Sequence, residues 1–480
     1  MPTPLGRHRL RAVLSVILSG LLVLPAAPTT TPTPATIDAV VEQYRERTGL
    51  PGVAVAVTRG TTVVHAAGYG HAPGGEPISA HTPMAVASVS KSFTALAVMQ
   101  LVERGRIRLD DPVRAHLPEF TMADPRADRI TIRRLLDQTS GMSDTTHRSF
   151  SGPRVHTLRE AVAAMRGSTL AADPGTRWEY HNPNFQLAAR LVEVVGGVPF
   201  AEHLRREVFA PLGMRDSSTA DTERDLPPTA RGHLVVLGVP VALPEPPAFG
   251  NGSGGVLSSA HDMAAWLVMQ NSGGTPVATP ETIAATHSAA PGSYALGWFV
   301  GTTPAGARLV DHGGDLFTST AYQALLPESG HGIAVMANTG TRHGDAEALG
   351  RRLVDLLEGR QPAPANDPYR VVDAVLLGSA VAVAVLSVRG VARARRWAAR
   401  RPRWATARLL LLPLPLVLAA TVHRVVGYLY RGRDVAWLQV AYLYPTFVVA
   451  LLVAAVGGVA VLAARLLARR GQRGASTTTE

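Results

Sequence analysis

The sequence predicts an α/β domain followed by three membrane-crossing helices. Three observations carry this expectation. Runs rich in β-branched residues stand near both ends of residues 37–358, segments of helical periodicity fall between them, and three long apolar stretches follow residue 370. A β-then-α-then-β order describes a sheet assembled from both ends of one domain, with a helical insert.

The elements follow in chain order. Residues 1–36 begin with Arg7, Arg9 and Arg11, continue with an apolar stretch at 12–24 and end in a Pro/Thr-rich spacer, the pattern of an export signal or signal anchor. Residues 53–57 and 62–67 flank Arg59-Gly60 and read as a hairpin. From Lys91 to Gly105, Phe93, Leu96, Met99 and Val102 recur at helical spacing, and 155–165, 185–195 and 260–269 are further helical stretches. Strands are expected at 307–311, 321–326 and 332–337. A linker at 359–370 leads to apolar segments at 371–388, 405–422 and 435–464, each close to the roughly 20 residues that cross a bilayer. A tail at 465–480 completes the chain. Asp373 lies near the outer end of the first segment and is expected to be solvated or paired.

Composition excludes several chemistries. The chain has 480 residues and no cysteine, so it forms no disulfide and offers no thiolate ligand or thiol nucleophile. The net charge of +11 is unevenly spread: residues 389–480 hold 15 Arg against Asp434 and Glu480, which with the three N-terminal Arg leaves 12–388 mildly acidic. Basic residues beside apolar segments mark a membrane protein rather than a nucleic-acid binder. Seven Arg between 389 and 403, and Arg465, Arg469, Arg470 and Arg473 after the third segment, place that loop and the tail in the cytoplasm. The 37–358 domain is then expected outside.

Of 47 basic residues, 46 are Arg; Lys91 is the single lysine. A lysine releases its proton when desolvated, whereas arginine does not. Lys91 follows Ser88 by three positions, so on a helix the two share a face. At a helix N-terminus Ser88 would have a neighbouring base and free amides for an oxyanion, the needs of an acyl-transfer nucleophile. With 24 serines in the chain, chance places one at that spacing about one time in twenty, so the pair alone is weak. Tyr180-His181-Asn182 offers a phenol for proton transfer and an amide to hold a substrate carbonyl. His312-Gly313-Gly314 follows a short strand, where glycines let a substrate approach an edge closely. Taken singly, these are also a solvated lysine, a core tyrosine, a hairpin histidine and turn glycines.

In that order the three groups resemble the serine β-lactamase and penicillin-binding-protein superfamily, in the branch of class C β-lactamases, DD-carboxypeptidases and esterases. The resemblance extends to Leu135-Leu136-Asp137-Gln138-Thr139-Ser140-Gly141, Pro211-Leu212-Gly213-Met214, Gly254-Gly255-Val256-Leu257-Ser258-Ser259 and Leu296-Gly297-Trp298. It implies an antiparallel sheet flanked by helices with an all-helical subdomain. It also implies catalysis by Ser88, Lys91 and Tyr180, substrate binding by Asn182, His312, Gly313 and Gly314, and an oxyanion hole from the N–H groups of Ser88 and Asp315. No metal or organic cofactor is implied. His312 stands where relatives carry Lys, so the usual cation for a substrate carboxylate is missing; His181 and Gln138 also depart from the family pattern. Ser143-Asp144-Thr145 looks like a second family motif but lacks its Asn, and is set aside. His65, His71 and His81 are spaced like loop residues and not like a zinc site.

The whole layout resembles membrane-anchored prodrug-activating D-asparaginyl peptidases. The expected function is an extracytoplasmic serine hydrolase of a bacterial plasma membrane. It would act on an amide or ester of a small molecule or peptide, with a D-amino acid in the substrate and lipid around its anchor. The rivals are a cell-wall DD-carboxypeptidase, an esterase or β-lactamase, and a non-turnover receptor.

Overall fold

The computed structural model describes residues 33–476 except 291, 368 and 400–406, and side chains as far as residue 470. The expected export segment therefore lies outside the described residues up to residue 32. The first helix, Pro34–Thr48, starts within the expected spacer: Thr33 accepts a hydrogen bond from the Thr36 N–H, Pro34 needs no partner for its missing N–H, and Gly49 at φ 78° ends the helix.

Twelve strands follow among the described residues: β1 Gly52–Arg59, β2 Thr62–Gly70, β3 Met84–Ala85, β4 Ser218–Thr219, β5 Gly232–Val236, β6 Val239–Leu243, β7 Val256–Ser258, β8 Ser293–Tyr294, β9 Phe299–Thr302, β10 Arg308–Asp315, β11 Thr320–Leu326 and β12 His331–Ala337. Seven form an antiparallel sheet in the order β2-β1-β12-β11-β10-β9-β8, which joins both ends of the domain. β1 is buried on both faces, which explains its unbroken apolar run. Val53, Val55 and Val57 meet the helices Pro34–Thr48 and Asp345–Leu357, while the smaller Ala54 and Ala56 face the main core. That core holds the helices Ser90–Glu103 and Ala260–Asn271, whose Phe93 and Trp266 stack with ring centroids 3.9 Å apart. Trp266 Nε1 donates to Gln323 Oε1 (3.0 Å) and Gln323 Nε2 to Ser92 Oγ (2.9 Å), fixing the Ser90–Glu103 helix to β11. Between β3 and β4 the described regular elements are all helical, among them Ile132–Leu136, Leu158–Ala164 and Asn182–Gly196. The Asn182 helix starts three residues before its apolar periodicity, because Pro183 suits a first turn.

Among the described residues, three helices are long and apolar enough to cross a membrane: Tyr369–Ala392, Arg408–Leu429 and Pro445–Arg470. The first extends the expected 371–388 by a few residues at each end, and the other two begin elsewhere than expected. Pro413 and Pro415 move the regular α-helix of the second to Leu414–Leu429, so residues 423–429 are helix and not loop. Residues 435–444 do not belong to the third: Trp437–Leu443 is a separate short helix, and Pro445 opens a new one. The expected linker is packed, with Ala365 buried.

The membrane helices are tied to the globular domain through specific polar contacts. Asp373, 1% exposed, pairs with Arg342 and accepts from the Leu237 N–H (2.9 Å) and Thr446 Oγ1 (2.7 Å). The Tyr442 hydroxyl donates to the Pro244 carbonyl at 2.7 Å. The turn after Leu429 makes a third tie, beside the candidate site.

Candidate active site

Ser88 sits on a single 3-10 turn, Ala87–Val89, that feeds directly into the Ser90–Glu103 helix. Ala87 holds φ 48°, a left-handed conformation that costs a non-glycine residue about 1 kcal/mol or more and recurs at functional turns. Lys91, one turn on, is fully buried; its Nζ lies 3.0 Å from Ser88 Oγ, 2.7 Å from the Ser253 carbonyl and 4.7 Å from the Tyr180 ring centroid. Burial, and then the Arg433 guanidinium, hold its ammonium well below the ordinary lysine range. A neutral Nζ can accept the Ser88 proton. Tyr180 has the opposite bias: burial pushes its phenol up, against a hydrogen bond with Ser88 that lowers it, so it remains a proton donor.

His312, Gly313 and Gly314 lie inside β10, not beyond its end as the sequence suggests. β9 covers only Arg308 to Asp311, so β10 becomes an open edge from His312 onward. The Leu316 N–H bonds the Ser319 carbonyl, so by alternation the N–H of Asp315 points away from β11 to that open edge. The glycines also act differently from expectation. A Cβ at Gly314 would collide with the Val86 carbonyl and stand 3.2 Å from the Ser88 nitrogen, so this glycine admits the nucleophile turn rather than the substrate. Gly313 has no such close neighbour.

His312 is 1% exposed, and burial above all lowers it to about 3. It is neutral, with Nδ1 donating to the Gly313 carbonyl (2.6 Å) and Nε2 accepting from the Tyr294 hydroxyl (2.9 Å). Asn182 Oδ1 is buried with no partner among the described residues, an acceptor left open for a substrate N–H.

The unexplained departures acquire roles. Gln138, at φ 63°, accepts from the His181 N–H (3.1 Å) and Asn184 Nδ2 (2.6 Å), and so holds the loop that presents Tyr180. His181 Nδ1 lies 2.7 Å from Asp144 Oδ1, and Asp144 Oδ2 lies 3.1 Å from Arg433 Nε. Asp144, set aside from the sequence, thus links the Tyr180 loop to the turn between the second and third membrane helices. Ser88, Tyr180, Asn182, His312, Asp315 and Arg433 share one cavity of about 740 Å³. Sequence spacing could not reveal Asp144 and Arg433, because their partners lie far away in the chain. The same is true of His81, Asp216 and His261, which converge within 4.8 Å at the surface, outside this cavity. His65 lies in β2 and not in a loop.

The family model described as Beta-lactamase matches residues 37–358. The chain is 28% identical over 320 residues to the protein flp of Staphylococcus aureus (strain COL), covering 64% of this chain and 63% of flp, so it spans less than two thirds of that relative. It is 28% identical over 227 residues to the putative penicillin-binding protein PbpX of Bacillus subtilis (strain 168), covering 46% of this chain and 55% of PbpX. Among solved structures it is similar to the octameric penicillin-binding protein homologue from Pyrococcus abyssi, with a TM-score of 0.61, 26% identity and coverage of 71% and 81% of the two chains.

Proposed function

The chain belongs to the Beta-lactamase family of serine hydrolases, and from that premise we propose a membrane-anchored extracytoplasmic hydrolase that works through an acyl-enzyme on Ser88. The observation that carries the reading is the fully buried Lys91 amine, 3.0 Å from Ser88 Oγ and held below the ordinary lysine range. In acylation, Ser88 Oγ bonds to the substrate carbonyl carbon and its proton passes to Lys91 Nζ. The N–H groups of Ser88 and Asp315 hold the oxyanion. The C–N or C–O bond to the leaving group breaks, and the leaving group takes a proton through Tyr180. Water then cleaves the Ser88 ester and restores the free enzyme. Asn182 Oδ1 accepts an N–H from the acyl side.

The substrate class we infer is a small molecule or peptide whose acyl portion carries a D-amino acid, making the protein a D-directed peptidase or amidase. The neutral His312 sets the site apart from one that holds a substrate carboxylate from that strand position. We place the globular domain outside the bacterial plasma membrane, on the Arg distribution around the apolar helices.

The test uses the full chain in detergent with N-acetyl-D-amino-acid amides, their L-enantiomers and simple esters, and Ser88→Ala as control. Hydrolysis of the D-amides that Ser88→Ala abolishes is expected. Turnover of esters alone would make it an esterase. A stable benzylpenicillin adduct without turnover would favour the DD-peptidase or receptor reading.

A further inference from the structure

We propose that Arg433, in the turn between the second and third membrane helices, is the cation of this active site and binds a carboxylate on the leaving-group side of the substrate. The inference deepens the hydrolase reading and rests on it.

The strand position where the family resemblance implies a cation holds the neutral, buried His312, whose two nitrogens are already engaged. Lys91 is committed to Ser88. Two arginines remain along the cavity. Arg351 pairs with Glu347 (2.7 Å) and lies over the Tyr322 ring (6.0 Å to its centroid), not over Tyr180. Arg433 stands beside the reacting groups, its guanidinium carbon 5.7 Å from the Tyr180 ring centroid. Nη1 donates to the Tyr180 carbonyl (3.0 Å) and Nε faces Asp144 (3.1 Å), while the side chain stays 39% exposed and borders the cavity.

The turn is built to hold Arg433 there. Asp434 turns its carboxylate away to the N–H groups of Phe150 and Ser151 (2.7 Å each), and its own N–H donates to Asp144 Oδ2 (3.2 Å). Asp144 in turn is fastened to His181. Asp144, fastened by His181, and the Tyr180 carbonyl are therefore the dock for a cation delivered from the turn after the second apolar helix. The positive field reaches the chemistry, since Arg433 is the leading charged neighbour lowering both Lys91 and Tyr180. A guanidinium presents a planar fork suited to a carboxylate. Tyr180 serves the leaving group, and Arg433 lies across the same ring, which places the carboxylate on that side.

The test compares two esters of N-acetyl-D-alanine, one with 3-hydroxybenzoate and one with 3-hydroxybenzamide as leaving group, on the full chain in detergent. The readout is the ratio of the two kcat/KM values within one preparation, which does not depend on the folded fraction. The wild type should prefer the carboxylate by at least about 10-fold, the range of one charge-assisted hydrogen bond. Arg433→Ala should bring the ratio to about 1, Arg433→Lys should keep part of it, and Arg433→Glu should invert it. A wild type without preference, or Arg433→Ala retaining it, overturns the proposal. Binding of free 3-hydroxybenzoate and 3-hydroxybenzamide to the Ser88→Ala protein separates the two readings. An Arg433-dependent preference there without any hydrolysis sustains the anion site and sinks the hydrolase. Equal binding, or no binding of the benzoate, sinks the anion site even where hydrolysis is intact.

Discussion

Gly314→Ala tests how the open end of β10 meets the nucleophile turn. The added methyl would overlap the Val86 carbonyl and press on the Ser88 nitrogen at 3.2 Å. Both are backbone atoms of a turn fixed at one end by β3 and at the other by the Ser90–Glu103 helix, so neither can yield as a side-chain tip would. The strand must therefore separate from the turn by an amount near the roughly 0.5 Å tolerance of a productive site. That gap lies between the two N–H groups assigned to the oxyanion. Losing one such donor costs about 100- to 1,000-fold in kcat, and the overpacking costs about 1–3 kcal/mol of stability. The assay is hydrolysis of an activated ester by the full chain, with thermal unfolding alongside. Gly314→Ala that folds cooperatively and keeps more than about a third of wild-type kcat would refute the packing argument and the oxyanion assignment with it.

Further outcomes follow from individual side chains. Lys91→Arg should be as inactive as Lys91→Ala, both down about 100- to 10,000-fold in kcat, because arginine keeps the charge but cannot take the proton. Wild-type activity should rise with pH through the lowered Lys91 titration. The unfolded chain binds that proton up to the ordinary value of 10.5, so burial of neutral Lys91 costs stability at low pH and less as pH rises. Lys91→Met should accordingly gain thermal stability over the wild type at neutral pH and lose the advantage near 10.5. Glu245, 7% exposed, accepts from the Phe317 and Thr318 N–H groups and is pushed up by burial from 4.5 to about 7. Its folded form keeps the proton longer than the unfolded chain, so stability falls as pH rises from 4.5 to about 7, by about 3 kcal/mol, and Glu245→Gln should flatten that slope in chemical unfolding. Asp373→Ala leaves Arg342, 5% exposed in its side chain, without its carboxylate, and should cost about 3–5 kcal/mol in thermal unfolding of the detergent-solubilised chain.

Local signals made much of the architecture legible. The valine-alanine run of β1, the helical spacing after Lys91 and the length of the apolar segments each fix an element through contacts close in sequence. Ser88 with Lys91, and Tyr180 with Asn182, were readable for the same reason: three positions on a helix, or two around a turn, bring the groups together without help from the rest of the chain. What sequence spacing hid depends on distant contacts. The exposed end of β10 exists because β9 stops at Phe299, opposite Asp311. The service of Gly314 to the nucleophile turn depends on β10 lying beside a turn more than 200 residues earlier. Arg433 looks like one more basic loop residue until Asp144 and the Tyr180 carbonyl are placed around it. The shifted second and third membrane helices were hidden differently. An apolar run shows that a segment is buried or in lipid, whereas Pro413, Pro415 and Pro445 decide where each helix begins.

The acyl-enzyme at Ser88 is tested most directly by intact-mass measurement of the full chain after exposure to an alkyl fluorophosphonate, which bonds to an activated serine oxygen and expels fluoride. One adduct on the wild type, located at Ser88, absent from Ser88→Ala and strongly slowed in Lys91→Arg, is the result the account requires. An unmodified wild type, or an adduct that persists in Ser88→Ala, would contradict it.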